Sequence, residues 1–117
     1  MDFNAVIAKT DEPVVVVDLQ GDIIRINAAF TDVYGWTQAD LAGKSLVEII
    51  PGELHDAHHM GMARVRKTGK SKLLNQYLDL EMMYKDGTRA VAPHYITFGE
   101  IDGVPTLAAI IQPPEER

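Results

Sequence analysis

The stretch Pro51-Gly-Glu-Leu-His-Asp-Ala-His-His-Met-Gly-Met-Ala-Arg-Val-Arg-Lys-Thr-Gly69 holds three of the chain's four histidines. Imidazole titrates near neutrality and is the commonest nitrogen ligand for metals. On a helix turning about 100° per residue, Leu54, Gly61, Met62 and Val65 fall on one face, with His58 near its centre. A histidine amid an apolar stripe must find a buried hydrogen-bond partner or coordinate something. Gly61 beside it is unfavourable in a helix interior and would let a flat ligand approach the backbone. His55 sits at the edge of that face, and His59 is turned about a quarter revolution away. Four residues apart, these two could share a surface metal, but no third ligand is near, so they read as solvated surface histidines. On a later run, alternation puts Ala90, Ala92, His94 and Ile96 on one side, and His94 reads first as a hydrogen-bonded core histidine.

Other chemistries find no support. There is no cysteine, hence no disulfide, thiolate nucleophile or thiolate metal site. No Gly-x-Ser-x-Gly elbow, phosphate-cradling glycine loop or paired-carboxylate arrangement occurs, and the histidines lack a serine or cysteine to activate. Asp22, Asp86 and Asp102 sit beside turn glycines and read as turn residues. Trp36 reads as packing between short helices, and Met60, Met62, Met82 and Met83 as core fillers or surface apolar residues. The expectation is a chain without enzymatic activity.

The elements that must position His58 follow from local pattern. Phe3 to Lys9 could form a short amphipathic helix with Phe3, Val6 and Ile7 on one side. Pro13–Asp18 and Ile23–Asn27, joined by Gln20-Gly21-Asp22, read as a hairpin. Ala28–Tyr34 and Thr37–Ala42 read as short helices, the second N-capped by Thr37. Ser45 opens a turn that Pro51 ends. Glu53–Lys67 is the one long helix, closed by Gly69. Lys72–Met83, Thr88–Phe98 and Pro105–Ile111 read as strands separated by the turns Lys85-Asp-Gly87 and Asp102-Gly103. This order predicts an α+β domain, a five-stranded antiparallel sheet with short helices and one long helix covering one face.

The 117 residues suffice for one domain with one core. Apolar residues at 46% and charged residues at 24% are ordinary globular values. The net charge of −6 without a basic cluster argues against nucleic acid or anionic membrane as partners. The N-terminus lacks a basic segment followed by an apolar run, and no stretch is long enough to cross a bilayer. The expected location is cytoplasmic. Met1 and the polar Pro113-Pro-Glu-Glu-Arg117 end read as domain edges.

Asp18-Leu-Gln-Gly-Asp-Ile-Ile-Arg-Ile-Asn27, Tyr34-Gly-Trp-Thr-Gln-Ala-Asp-Leu-Ala-Gly43 and Lys85-Asp-Gly-Thr88, in that order, resemble successive signatures of PAS domains. The resemblance spans roughly Glu12 to Ile111. It implies one PAS sensory domain over 1–117, with residues 1–11 as a flanking helix and 12–112 as the core. It also implies a pocket for a cofactor or small ligand, with signalling through dimer packing or contacts to a partner or output domain. Light-oxygen-voltage flavin domains and yellow-protein chromophore domains attach their pigment through cysteine, which this chain lacks.

The histidine-rich stretch is further similar to haem-binding PAS domains of the rhizobial FixL and direct-oxygen-sensor type. In those, a histidine ten residues before the closing Thr-Gly ligates iron, and here that residue is His58. An arginine six residues later pairs with a haem propionate in FixL-type domains, and here that residue is Arg64. The resemblance thus implies haem b on His58, with Arg64 at a propionate and Leu54, Met62, Val65, Leu73 and Ile96 lining the ring. Two positions depart from the family. Leu78 stands where oxygen sensors carry a distal arginine, and Gln76 stands where the direct oxygen sensor has methionine. If the His94 side of its strand faces inward, His94 reaches the distal face of the haem. The expected ligand is a diatomic gas or a redox signal. The alternative is a cofactor-free PAS interaction and dimerisation module, or one with another ligand, flavin included. A homodimer through Phe3, Val6 and Ile7 is expected, since that apolar side needs a cover that a small domain does not always supply itself.

Overall fold

The computed structural model describes residues 1–114; Glu115–Arg117, part of the polar end read as a domain edge, lie outside them. In chain order the elements are α1 (Phe3–Ile7), β1 (Val14–Asp18), β2 (Ile23–Ile26), α2 (Ala28–Tyr34) and α3 (Gln38–Leu41). Two 3-10 turns, Leu46–Ile49 and Gly52–Leu54, lead into α4 (His55–Thr68), and β3 (Tyr77–Met83), β4 (Arg89–Ile101) and β5 (Val104–Ile111) complete the chain. The strands form one antiparallel sheet in the order β2-β1-β5-β4-β3. The first strand therefore lies beside the last, and the expected α+β architecture is the observed one.

Local chemistry sets most boundaries. The Asp18 carboxylate accepts from the amides of Gln20 and Asp22, and Gly21 takes a φ of 86°, which closes the β1–β2 hairpin. Asn27 caps α2 by accepting from the Phe30 amide, while its own amide group donates to the Lys9 and Glu12 carbonyls. Thr37 and Asp40 form a reciprocal capping box at the start of α3. Gly69, in the left-handed conformation, ends α4 as the sequence indicates.

Val14 to Val17 are all buried, although a strand turns alternate side chains to opposite faces. Val15 and Val17 join the main core with Phe30, Tyr34, Leu41 and Met82, beneath α2, α3 and α4. Val14 and Val16 point the other way, into a second cluster with Phe3, Val6, Tyr95 and Ile110. A strand covered on both faces reads as an unbroken apolar run. The cover on this second face is α1.

That placement corrects one expectation. Phe3 and Val6 are buried in their own chain's sheet, and Ile7 is packed partly against the same cluster. The apolar side assigned to a partner copy is taken up internally, because β1, β4 and β5 present an apolar surface that α1 covers. No helix among the described residues is long and apolar enough to cross a membrane.

Candidate functional site

Helix α4 spans the inner face of the sheet and buries only Met62 and Val65. Beyond these, polar ties hold it at its two ends. The Arg66 guanidinium donates to the Leu19 carbonyl at 2.8 Å. Just before the helix, Glu53 pairs with Arg89, which also grips Glu81 on β3. Between these ties α4 and the sheet enclose a cavity of about 310 Å³. That is within the range of small-molecule sites.

The wall of this cavity contains His58, Leu54, Met62 and Val65 from the α4 region, as the helical spacing predicts. Gly61 lies in it too, and a Cβ built there would meet open space. Leu73 stands at the mouth, largely exposed, and His94 and Ile96 come from β4. The inward side of β4 is thus the one carrying Ala92, His94 and Ile96.

Three expected residues are elsewhere. Arg64 is exposed and outside the wall, since six residues of helix turn it about 120° from His58. Gln76 is exposed, its side chain folded onto the Lys72 carbonyl. The segment before β3 is not extended as expected: Asn75 adopts a φ of 63°, and Leu74 bridges to Ile96 in parallel. The strand begins only at Tyr77. Leu78 is half-buried and opposite His94 in register, yet the wall residues on β3 are Leu80, Glu81 and Met82, further along the strand. Leu46, Ile49, Ile50, Leu74, Leu80 and Leu107 are among the wall residues the sequence reading missed. Alternation from Leu78 would have found Leu80, but Leu74 enters through a non-local bridge that carries no local signal.

The polar inventory is small. His58, His94, Ser71 and Glu81 are the polar wall residues, and no cation among the described residues contributes to it. Burial pushes His58 below its ordinary value, and the neighbouring His59 and His55 push the same way. His58 Nε2 lies near Gly21, 3.8 Å from where a Cβ would stand. Burial likewise lowers His94, opposed by the Ala92 carbonyl and Asp79. Both shifts favour the neutral imidazole, the form that binds metals.

The remaining candidates resolve into structural roles. His55 Nε2 is 2.8 Å from the Ile50 carbonyl, which only accepts, so this nitrogen carries a proton and anchors the start of α4. His59 is exposed. The Trp36 indole donates to the Met83 carbonyl at 3.0 Å, with Lys85 over its ring.

A family model described as the PAS fold matches residues 1–98. An uncharacterized protein of Azorhizobium caulinodans is 29% identical over 98 residues, which are 83% of this chain and 13% of that relative. The chain thus spans a small part of the relative's length. Among solved structures, the PAS domain of a Desulfitobacterium hafniense protein is similar with a TM-score of 0.71 at 20% identity, covering 93% of this chain and 98% of that one. A quorum-sensing receptor PAS domain of Cronobacter turicensis, in complex with C12:0, gives a TM-score of 0.64 at 12% identity over 92% of this chain and 98% of that one.

Proposed function

This chain belongs to the PAS family, and on that premise we propose that it is a signal-sensing domain that takes haem b into the cavity under α4, with His58 as an iron ligand. The observation that carries the reading is the donor set. Two imidazoles, from α4 and from β4, share one cavity whose other walls are almost wholly apolar. Apolar walls suit a porphyrin face, and neutral imidazole suits iron. Bound haem would supply an iron centre able to bind a diatomic gas or change oxidation state. Leu54, Met62, Val65, Leu73 and Ile96 would pack on the ring, and Gly61 would let it approach the helix backbone. Arg64 is not the propionate partner in this arrangement, so the propionates would lie toward the solvent-facing mouth near Leu73. Transmission to an output domain or partner belongs to a longer protein of the kind the chain matches.

Hemin titration tests this. The wild type should develop a Soret band at one equivalent, and His58→Ala should weaken it strongly, while His59→Ala should leave it intact. A wild type that gives no Soret shift would end the haem reading.

One observation favours a second ligand class. With no cation in the described wall, the cavity also suits an apolar chain, such as the C12:0 with which the Cronobacter turicensis domain is in complex. Dodecanoate protecting the domain against thermal unfolding, with hemin giving no Soret shift, would select that reading.

A further inference from the structure

His94 holds a ring nitrogen whose protonation the fold dictates. Its Nδ1 is 2.7 Å from the Ala92 carbonyl. A carbonyl oxygen only accepts, so Nδ1 keeps the proton and Nε2 keeps the lone pair. Pro93, whose ring locks φ, stiffens the backbone between the two partners. The residue is 8% exposed and part of the cavity wall. Among the described residues Nε2 takes no hydrogen bond. Nε2 is thus the ring nitrogen left to accept from a donor or to meet a Lewis acid that enters the cavity. The backbone bond at Nδ1 is also the kind of contact that orients a metal-binding imidazole and raises its basicity.

His58 belongs to the helix layer and His94 to the sheet layer, so the two imidazoles reach one cavity from different layers. We propose that His94 ligates the haem iron through Nε2 opposite His58, giving a six-coordinate, bis-histidine resting site; this rests on the haem reading above. Leu78, the register partner of His94, adds no polar group beside it. With haem bound, His94 Nε2 would have to leave the iron before an external gas could bind, while Nδ1 would keep its proton on the Ala92 carbonyl. Since Nε2 is acceptor-only, His94 offers no hydrogen bond to bound dioxygen. The site thereby favours carbon monoxide, nitric oxide or electron transfer over stable oxygenation.

The test uses the hemin-loaded full chain, read by visible absorption and electron paramagnetic resonance. The wild type should be low-spin in both oxidation states. His94→Ala should keep the Soret band but turn high-spin, and added imidazole should restore the low-spin signature. In the ferrous wild type, the rate of carbon monoxide binding should plateau with concentration, because His94 dissociation limits it; in His94→Ala it should rise linearly. A loaded wild type that is high-spin, or a low-spin spectrum unchanged by His94→Ala, would overturn the assignment and leave haem on His58 standing. Absence of any Soret shift would remove both. The wild-type spin state and rate plateau need no variant, so a His94→Ala that fails to fold does not shelter the idea.

Discussion

Phe3 packs its ring against the bare α-carbon of Gly99, so closely that a Cβ on Gly99 would overlap the ring. This contact seats α1 on the outer face of the sheet, where Val6 completes the seal over Val14, Val16 and Ile110. Gly99→Ala should therefore unseat α1 and destabilise the domain by about 1–3 kcal/mol, the usual penalty of overpacking. In the Phe3→Ala background the same change should cost less, because the overlap with the ring is gone and only the Cβ of residue 3, 2.7 Å away, remains to shift. Urea unfolding of the two singles and the double measures the coupling.

Gly61 has the opposite character. It sits inside α4 with open cavity where a side chain would project. Gly61→Ala should raise the stability of the ligand-free domain by about 0.5–1 kcal/mol through helix propensity alone. The same methyl would hold a flat ligand off the helix, so hemin affinity should fall while the melting temperature rises. Equal hemin affinity in the variant would show that nothing approaches the backbone there.

Tyr34 ties the core to the chain's exit. Its hydroxyl is buried and donates to the carbonyls of Ile111 and Gln112, each at 3.0 Å. Tyr34→Phe should cost about 1–2 kcal/mol, since it removes the donor and leaves acceptors buried. Burial, with Tyr84 adding, raises the Tyr34 hydroxyl above its ordinary value of 10.0. A group raised in the folded state stabilises fully below its unfolded value and loses that contribution as pH climbs above it. Stability of the wild type should thus decline above about pH 10, and part of that decline should be missing in Tyr34→Phe when urea midpoints are followed with pH.

Asp40 provides the acid-side counterpart. Its carboxylate meets the Lys85 ammonium at 2.7 Å and accepts from the Thr37 amide at 2.9 Å. The bond to Lys85 first, then those to Thr37, push its carboxyl down to about 2 from an ordinary 3.8. A lowered carboxyl stabilises above the unfolded value, and that contribution is lost as pH falls through the folded one. Asp40→Asn should be less stable than the wild type at pH 5, and the gap should close between about pH 4 and 2. A gap independent of pH would assign the effect to the helix cap alone.

Much of this molecule is legible in local pattern. The Asp18–Gly21 hairpin, the Thr37–Asp40 capping box, the Gly69 stop and the alternation of β4 each rest on interactions within a few residues. The face of α4 carrying Leu54, His58, Met62 and Val65 is likewise a matter of helical period, and all four line the cavity. Leu78 and Gln76 were misplaced because residues before Tyr77 turn rather than extend, held by the parallel bridge from Leu74 to Ile96. The valine run of β1 was legible as a strand, but its burial on both faces depends on α1 crossing the sheet.

The sequence by itself determined the elements, their caps and which side chains share a face, because those depend on periods and contacts a few residues long. Tertiary structure decided which faces meet. Phe3 reaches Gly99 across 96 residues of chain, and His58 and His94 reach one cavity across 36. It also decided the state of His94. The Ala92 carbonyl is only two residues away, yet the lone pair on Nε2 matters only because α4 and the sheet enclose a cavity that His94 lines. Burial is a property of packed layers, and no window of sequence contains both layers.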